Sequence, residues 1–202
     1  FVLKLEEDGS VSKLDRYVFQ KVRSYISGRY EKGLEVVPVS MNLSWMDFYD
    51  EALIDEIVDF LEHPEFPSEL IRFEITETSY AALEENVGKV LNKIKKKGAW
   101  ILLDDFGSGY SSFNMLQRFS FDILKIDMSF TREIEMNSRT RRLIPLIIET
   151  AHALDAKTVA EGAETKEQVE FLRNHGCDYI QGYYFYRPLK KDEFSEELDQ
   201  NS

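Results

Sequence analysis

At 202 residues the chain is long enough for one sizeable domain with its own core, and 43% apolar with 31% charged residues is ordinary for a globular protein. A net charge of −12 argues against a DNA or RNA polymer as partner, although bound cations can still bring an anionic ligand to an acidic site. Cys177 is the only cysteine, so no internal disulfide can form; this fits a reducing cytoplasm, with Cys177 itself a small buried apolar residue. No apolar run approaches the roughly 18 residues of a membrane span, and no signal peptide is seen. The chain begins at Phe1 without an initiator methionine, so it is expected to be part of something longer, with room for a membrane or sensor segment upstream.

In chain order, the apolar residues Leu14, Val18, Val22 and Ile26 predict a helix over 12–30, with Ser12 as its cap. Gly33 ends it. Residues 34–41 read as a strand weakened by Pro38, which removes a ladder donor, and this strand ends at Asn42-Leu43-Ser44. Leu53, Ile54, Ile57, Val58 and Leu61 predict a helix over 49–61. The next strand, 70–77, alternates Ile71, Phe73 and Ile75 on one face with Arg72, Glu74 and Thr76 on the other. A helix over 81–97 follows, its last turn crowded with lysines that suit the helix C-terminal dipole.

Residues 99–104 form an apolar third strand that ends in Asp104-Asp105 and a Gly/Ser loop. A short helix is predicted over 112–117, a fourth strand over 121–127, and a helix over 138–154 that Pro145 should kink. The fifth strand, 157–160, ends in Glu161-Gly162-Ala163-Glu164. Thr165 and Gln168 have capping-box spacing for the helix that follows. The sixth strand, 178–180, ends in Gln181-Gly182, and the acidic tail from Lys191 reads as a short fraying helix.

Strands alternating with helices imply parallel strands and right-handed crossovers. An open doubly wound sheet and a (β/α)8 barrel both fit. A barrel of about 250 residues would leave roughly 50 upstream of this chain.

The polar residues at the strand C-terminal ends are Asn42, Glu74 with Glu77, Asp104 with Asp105, Lys125 with Asp127, Glu161 with Glu164, and Gln181. In a parallel barrel these ends share one rim, where active sites lie. Solvated loop residues are the bland alternative, but Glu74 and Asp104 adjoin apolar neighbours, where unpaired carboxylates are costly. Carboxylates suit hard cations such as Mg2+, Ca2+ or Mn2+. A pair of such ions about 3.5–4 Å apart cleaves phosphate esters, with Lys125 placed to stabilise developing charge. His63, His152 and His175 lack metal-ligand spacing, which argues against zinc.

These motifs resemble the EAL domain of bacterial cyclic-di-GMP phosphodiesterases. The matching runs are Asn42-Leu43-Ser44, Glu74-Ile75-Thr76-Glu77, Asp104-Asp105-Phe106-Gly107-Ser108-Gly109-Tyr110-Ser111-Ser112, Lys125-Ile126-Asp127, 160–165, and 181–185 with Arg187-Pro188. The resemblance implies a TIM-like (β/α)8 barrel, here incomplete with its first one or two strands missing, and a single EAL-type domain over 1–202. It implies hydrolysis of cyclic-di-GMP to linear pGpG with two Mg2+ or Mn2+ ions, Ca2+ acting as an inhibitor. Asn42, Glu74 and Asp104 are implied to hold one ion, and Asp104, Asp105 and Glu161 the second. Lys125 is implied to orient the catalytic water, and Glu77 to steady the loop after Asp105, which couples dimerisation to metal binding. Asp127, Glu164, Gln181, Arg187 and Ser108 are implied to bind substrate or support the site; Ser108 stands where the family usually has threonine, and Ala163 where it has valine.

The resemblance further implies a cytoplasmic homodimer in the intact protein and allows a fused GGDEF or sensor domain upstream. The Glu-Ala-Leu motif that names the family would lie before Phe1, so the 202-residue chain by itself is expected to be inactive. The competing readings are a degenerate receptor that binds cyclic-di-GMP without cutting it, and a scaffold that serves only protein contact.

Overall fold

The computed structural model describes residues 5, 10–63, 67–77, 79, 84–107, 116–117 and 119–201. Ser108 and most of the helix expected over 112–117 lie outside the described residues. Among the described residues six strands, in parallel pairs, alternate with helices, an α/β architecture with fewer than the eight strands that close a TIM barrel. The chain divides into two compact units, one of residues 1–75, 79–101 and 190–202, the other of 76–78 and 102–189. Within each unit the strands lie in chain order. Among the described residues no helix is long and apolar enough to cross a membrane.

The first unit holds α1 (Val11–Tyr30), β1 (Val39–Asn42), α2 (Glu51–Leu61), most of β2 (Ile71–Thr76), α3 (Glu84–Lys95) and α7 (Lys191–Asn201). The expected stripe on α1 is corrected. Residues four apart advance 400° and drift by about 40° per step, so Val18 turns outward at 38% exposed. The face that stays inward is Val11, Phe19, Ile26 and Arg29. Ser12 does not cap α1; Ser10 stands at the N-cap, and the Ser12 hydroxyl donates to Asp50 at 3.3 Å. Asp50 itself caps α2 by accepting from Leu53 N–H at 3.0 Å.

β1 is four residues long, shorter than expected, because the backbone over 34–38 makes no ladder; Pro38 ends that approach without an N–H to give. β2 keeps the expected alternation, with Ile71, Phe73 and Ile75 fully buried. They meet a core that includes Phe19 packed edge-on against Phe60, with Val87, Leu91 and Ile94 of α3 also buried. The crowded lysines of α3 find acidic partners on and just after α2: Lys93 with Asp55 at 2.8 Å, and Lys97 with Glu62. The tail is an ordered helix, tied to α1 through Tyr25–Ser195 at 3.0 Å and Arg29–Asp199.

The second unit holds most of β3 (Trp100–Phe106), then β4 (Ile123–Ile126), α4 (Met128–Glu133), α5 (Ser138–Ala153), β5 (Lys157–Ala160), α6 (Lys166–Asn174) and β6 (Tyr179–Ile180). All four residues of β4 are buried, as expected for a parallel strand covered on both faces. Ile144, Ile148 and Ala151 of α5 and Val169, Phe171 and Leu172 of α6 complete this core. α5 runs unbroken through Pro145, and Asn137 caps it by accepting from Arg139 and Thr140. The capping box is present: Thr165 accepts from Gln168 N–H, and Gln168 Oε1 accepts from Thr165 N–H at 3.1 Å. α4 has no counterpart in the periodicity reading; its six residues are too few to show a period.

Asp178 ties this unit together where β5, β6 and α5 meet. Its Oδ2 accepts from Thr158 N–H at 2.8 Å and Thr158 Oγ1 at 2.9 Å, and bonds His152 Nε2 at 2.8 Å. Burial pushes the carboxyl up, but these bonds together outweigh it and hold Asp178 below the usual carboxylate range. Burial also pushes the neighbouring Cys177 thiol up, which fits an unreactive structural cysteine. A depressed folded-state pKa gives stability above the unfolded pKa that is lost as pH falls through the folded one. Asp178→Asn should therefore lower stability by about 1 kcal/mol at pH 7. In urea melts the gap from wild type should narrow as pH falls below about 4; a gap independent of pH would contradict this account.

Candidate active site

In a regular strand Asp104 and Asp105 would point to opposite faces. They do not, because the β3–β4 register shifts between Leu103 and Phe106. Within this shift stands Asp105, whose φ of 56° lies in the left-handed region, and just past it Gly107 at 95°. Asp104 Oδ1 accepts from Asp105 N–H at 2.9 Å, which fixes the turn locally.

β4 supplies Lys125, 5% exposed. Its Nζ lies 2.8 Å from Asp104 Oδ1 and 2.9 Å from Glu161 Oε1. Glu161 sits one residue past β5, where its N–H still donates to Ile126 at 3.1 Å and so extends the ladder. Gly162 follows at φ 72°, and a Cβ there would lie 2.6 Å from Met128 Cβ, so no other residue fits. Asp104, Asp105 and Glu161 each bring a carboxylate oxygen within 4.8 Å of the other two.

Among the described residues three carboxylates thus converge, two of them on the buried Lys125 ammonium. Lys125 offsets part of the repulsion; a divalent cation would offset the rest. An all-oxygen donor set suits Mg2+ or Mn2+ and not zinc, so the residues present fit the metal that the sequence implies.

The other expected site residues are placed as follows. Asn42 and Glu74 are register partners at the ends of β1 and β2 in the first unit, where Leu43 N–H donates to the Glu74 carbonyl at 2.9 Å. Glu77, one residue past β2, is buried at 6% exposed. Asp127 caps α4 by accepting from Ser129 N–H at 3.0 Å. Glu164 is exposed, and its N–H donates to Gln168 Oε1 at 2.7 Å. Gln181 works through its backbone, donating to Ala160 at 2.9 Å and accepting from Ala163 at 3.1 Å. Arg187 lies over the Tyr183 ring, 4.4 Å from its centroid. Sequence reasoning missed α4 and with it Met128 and Phe130, which pack on the glycines of both acidic loops; the Asp127-x-Ser129 cap was the one available signal.

A family model described as "EAL domain" matches residues 1–188. The chain belongs to the EAL domain family. Among relatives, "Cyclic di-GMP phosphodiesterase NbdA" of Pseudomonas aeruginosa is 32% identical over 189 residues, 94% of this chain and 24% of that protein. Among solved structures, the PaMucR phosphodiesterase c-di-GMP complex superposes with a TM-score of 0.87 at 28% identity, covering 96% of this chain and 78% of that one. The Klebsiella pneumoniae BlrP1 manganese/cy-diGMP complex superposes with a TM-score of 0.78 at 25% identity, covering 89% and 45%. The fold is therefore the TIM-like barrel of EAL domains, represented here by six strands. The chain spans about a quarter of the length of the curated relatives it matches.

Two outcomes follow from the EAL site's electrostatics and strain. Lys125→Met should cost about 3 kcal/mol in urea unfolding, because it leaves buried carboxylates unpaired, and adding Asp104→Asn should return part of that loss. No loss from Lys125→Met would mean the ion pairs contribute nothing. Asp105→Gly should raise the stability of the metal-free protein by about 1 kcal/mol, since glycine adopts the left-handed turn without strain, and should weaken Mn2+ binding in calorimetric titration.

Proposed function

We propose that residues 1–202 belong to one EAL-type domain that, in the intact protein, hydrolyses cyclic-di-GMP to linear pGpG, the 202-residue chain by itself being inactive. The observation that carries this reading is the convergence of Asp104, Asp105 and Glu161 around buried Lys125. Asp104, Asp105 and Glu161 would hold Mg2+ or Mn2+, with Asp104 shared between two ions; Ca2+ would compete for the same oxygens without supporting turnover. Asn42 and Glu74 keep the metal role that the family resemblance implies for them. Bound ions of this kind neutralise phosphate charge and make water nucleophilic near neutral pH.

The chain's own residues do the rest. Lys125 donates from Nζ to Asp104 and Glu161, which holds both carboxylates oriented toward one point. The same ammonium is placed to direct the attacking water and to stabilise charge as the phosphate opens. Glu161 is held rigidly by the β4–β5 ladder on one side and by the Gly162–Met128 contact on the other. Net charge of −12 keeps polymeric nucleic acid away, while a small dinucleotide needs only a local cation. We assign the domain to the cytoplasm, as a homodimer, with sensor or GGDEF segments elsewhere in the protein that carries it.

The test is to incubate the full-length protein with cyclic-di-GMP and Mg2+ or Mn2+ and to follow product by chromatography. pGpG is expected with either ion, and Glu161→Gln should lower kcat by at least about a hundredfold. Absence of product with both ions rejects hydrolysis; binding that persists in EDTA with no turnover indicates a receptor instead.

A further inference from the structure

The acidic cluster depends on a backbone turn that is unfavourable in itself. Asp105 is a residue with a Cβ in the left-handed region, a conformation that costs of order 1 kcal/mol or more and persists only when surroundings enforce it. The hydrogen bond from Asp105 N–H to Asp104 is local and would move with the turn. Something outside the turn has to hold it.

Phe130 is in the right place to do so. It lies in α4, and its ring is stacked so tightly on Gly107 that a Cβ at Gly107 would fall 2.7 Å from Cζ. Gly107 closes the same turn two residues after Asp105, again with positive φ. α4 is in turn anchored from below. Its N-terminus is capped by Asp127, two residues after Lys125; Ile134 at its C-terminal end is fully buried; and Met128 meets Gly162 beside Glu161. The segment 125–130 thus meets the acidic cluster through charge at Lys125 and meets the glycines beside it through Met128 and Phe130.

We propose that Phe130 is a positioning residue for the metal-binding carboxylates: by pressing on Gly107 it holds Asp105 in the left-handed turn that brings its side chain to Asp104 and Glu161. The inference rests on the metal-dependent reading above and adds to it a residue outside the ligand set. It acts through Asp105 and touches no ligand itself. A side chain with only a packing role would affect stability, and metal affinity through stability alone. A positioning residue affects metal affinity through Asp105 specifically.

The experiment is a double-mutant cycle read by Mn2+ titration with calorimetry or Mn2+ EPR, using the full-length protein. Phe130→Ala should weaken Mn2+ binding by about tenfold, the usual scale for a residue that orients a ligand, and Phe130→Leu should recover part of it. In an Asp105→Gly background, where the side-chain ligand is gone, Phe130→Ala should have almost no further effect. Amide exchange without metal should speed up over residues 104–107 in Phe130→Ala and stay unchanged in the β4–β5 ladder. Equal losses in both backgrounds, or unchanged exchange over 104–107, would overturn the proposal. If Phe130→Ala does not fold, Phe130→Leu carries the same comparison with a smaller loss. Wild-type protein that binds no Mn2+ would count against the phosphodiesterase reading, and the exchange result would still decide the role of Phe130.

Discussion

A buried ammonium held between two carboxylates is the constraint from which the rest of this site follows. Lys125 can occupy the interior only because Asp104 and Glu161 meet it at 2.8 and 2.9 Å. Those two residues can meet it only if three parallel strands are in correct register, since each contributes one partner. A slip by one residue would turn Lys125 into the apolar layer and Leu124 toward the acids. Register in the second unit is thus specified electrostatically as well as by hydrophobic pattern.

Glycines set the second layer of the arrangement. Gly162 directly follows Glu161 and Gly107 lies two residues past Asp105, and each lies against a side chain from α4. With Cβ atoms there, the loops after β3 and β5 would be pushed off that helix and the carboxylates with them. A six-residue helix of little intrinsic stability becomes a spacer between two loops, because it is capped at one end and buried at the other.

Much of this was legible in the residues. The alternation of Ile71, Phe73 and Ile75 fixes the buried face of β2, and the Thr165–Gln168 spacing announces a capping box that is present in the structure. The adjacency of Asp104 and Asp105 marked the site. What could not be read was the means by which both acids reach one side, since a bulge with left-handed backbone at an aspartate leaves no periodic trace. The phase of α1 was misread because fourfold spacing mimics a stripe while drifting around the helix. β1 was overextended because Leu34, Val36 and Val37 carry strand propensity that Pro38 does not permit the backbone to use.

The places where local rules fail are the places where chemistry is proposed. Asp105 is strained, Asp104 is almost buried, three carboxylates crowd together, and two of them share one lysine. The strained turn and the crowded carboxylates do not stabilise the metal-free fold; the shared lysine offsets only part of their cost. Their coincidence within one small volume, supported by an otherwise well-packed unit, requires a common cause. A divalent cation supplies one: it turns carboxylate repulsion into attraction and gives the left-handed turn at Asp105 a ligand to present. The same ion would leave Lys125 free to respond to substrate phosphate, because the acids that now hold the ammonium would then be held by the metal.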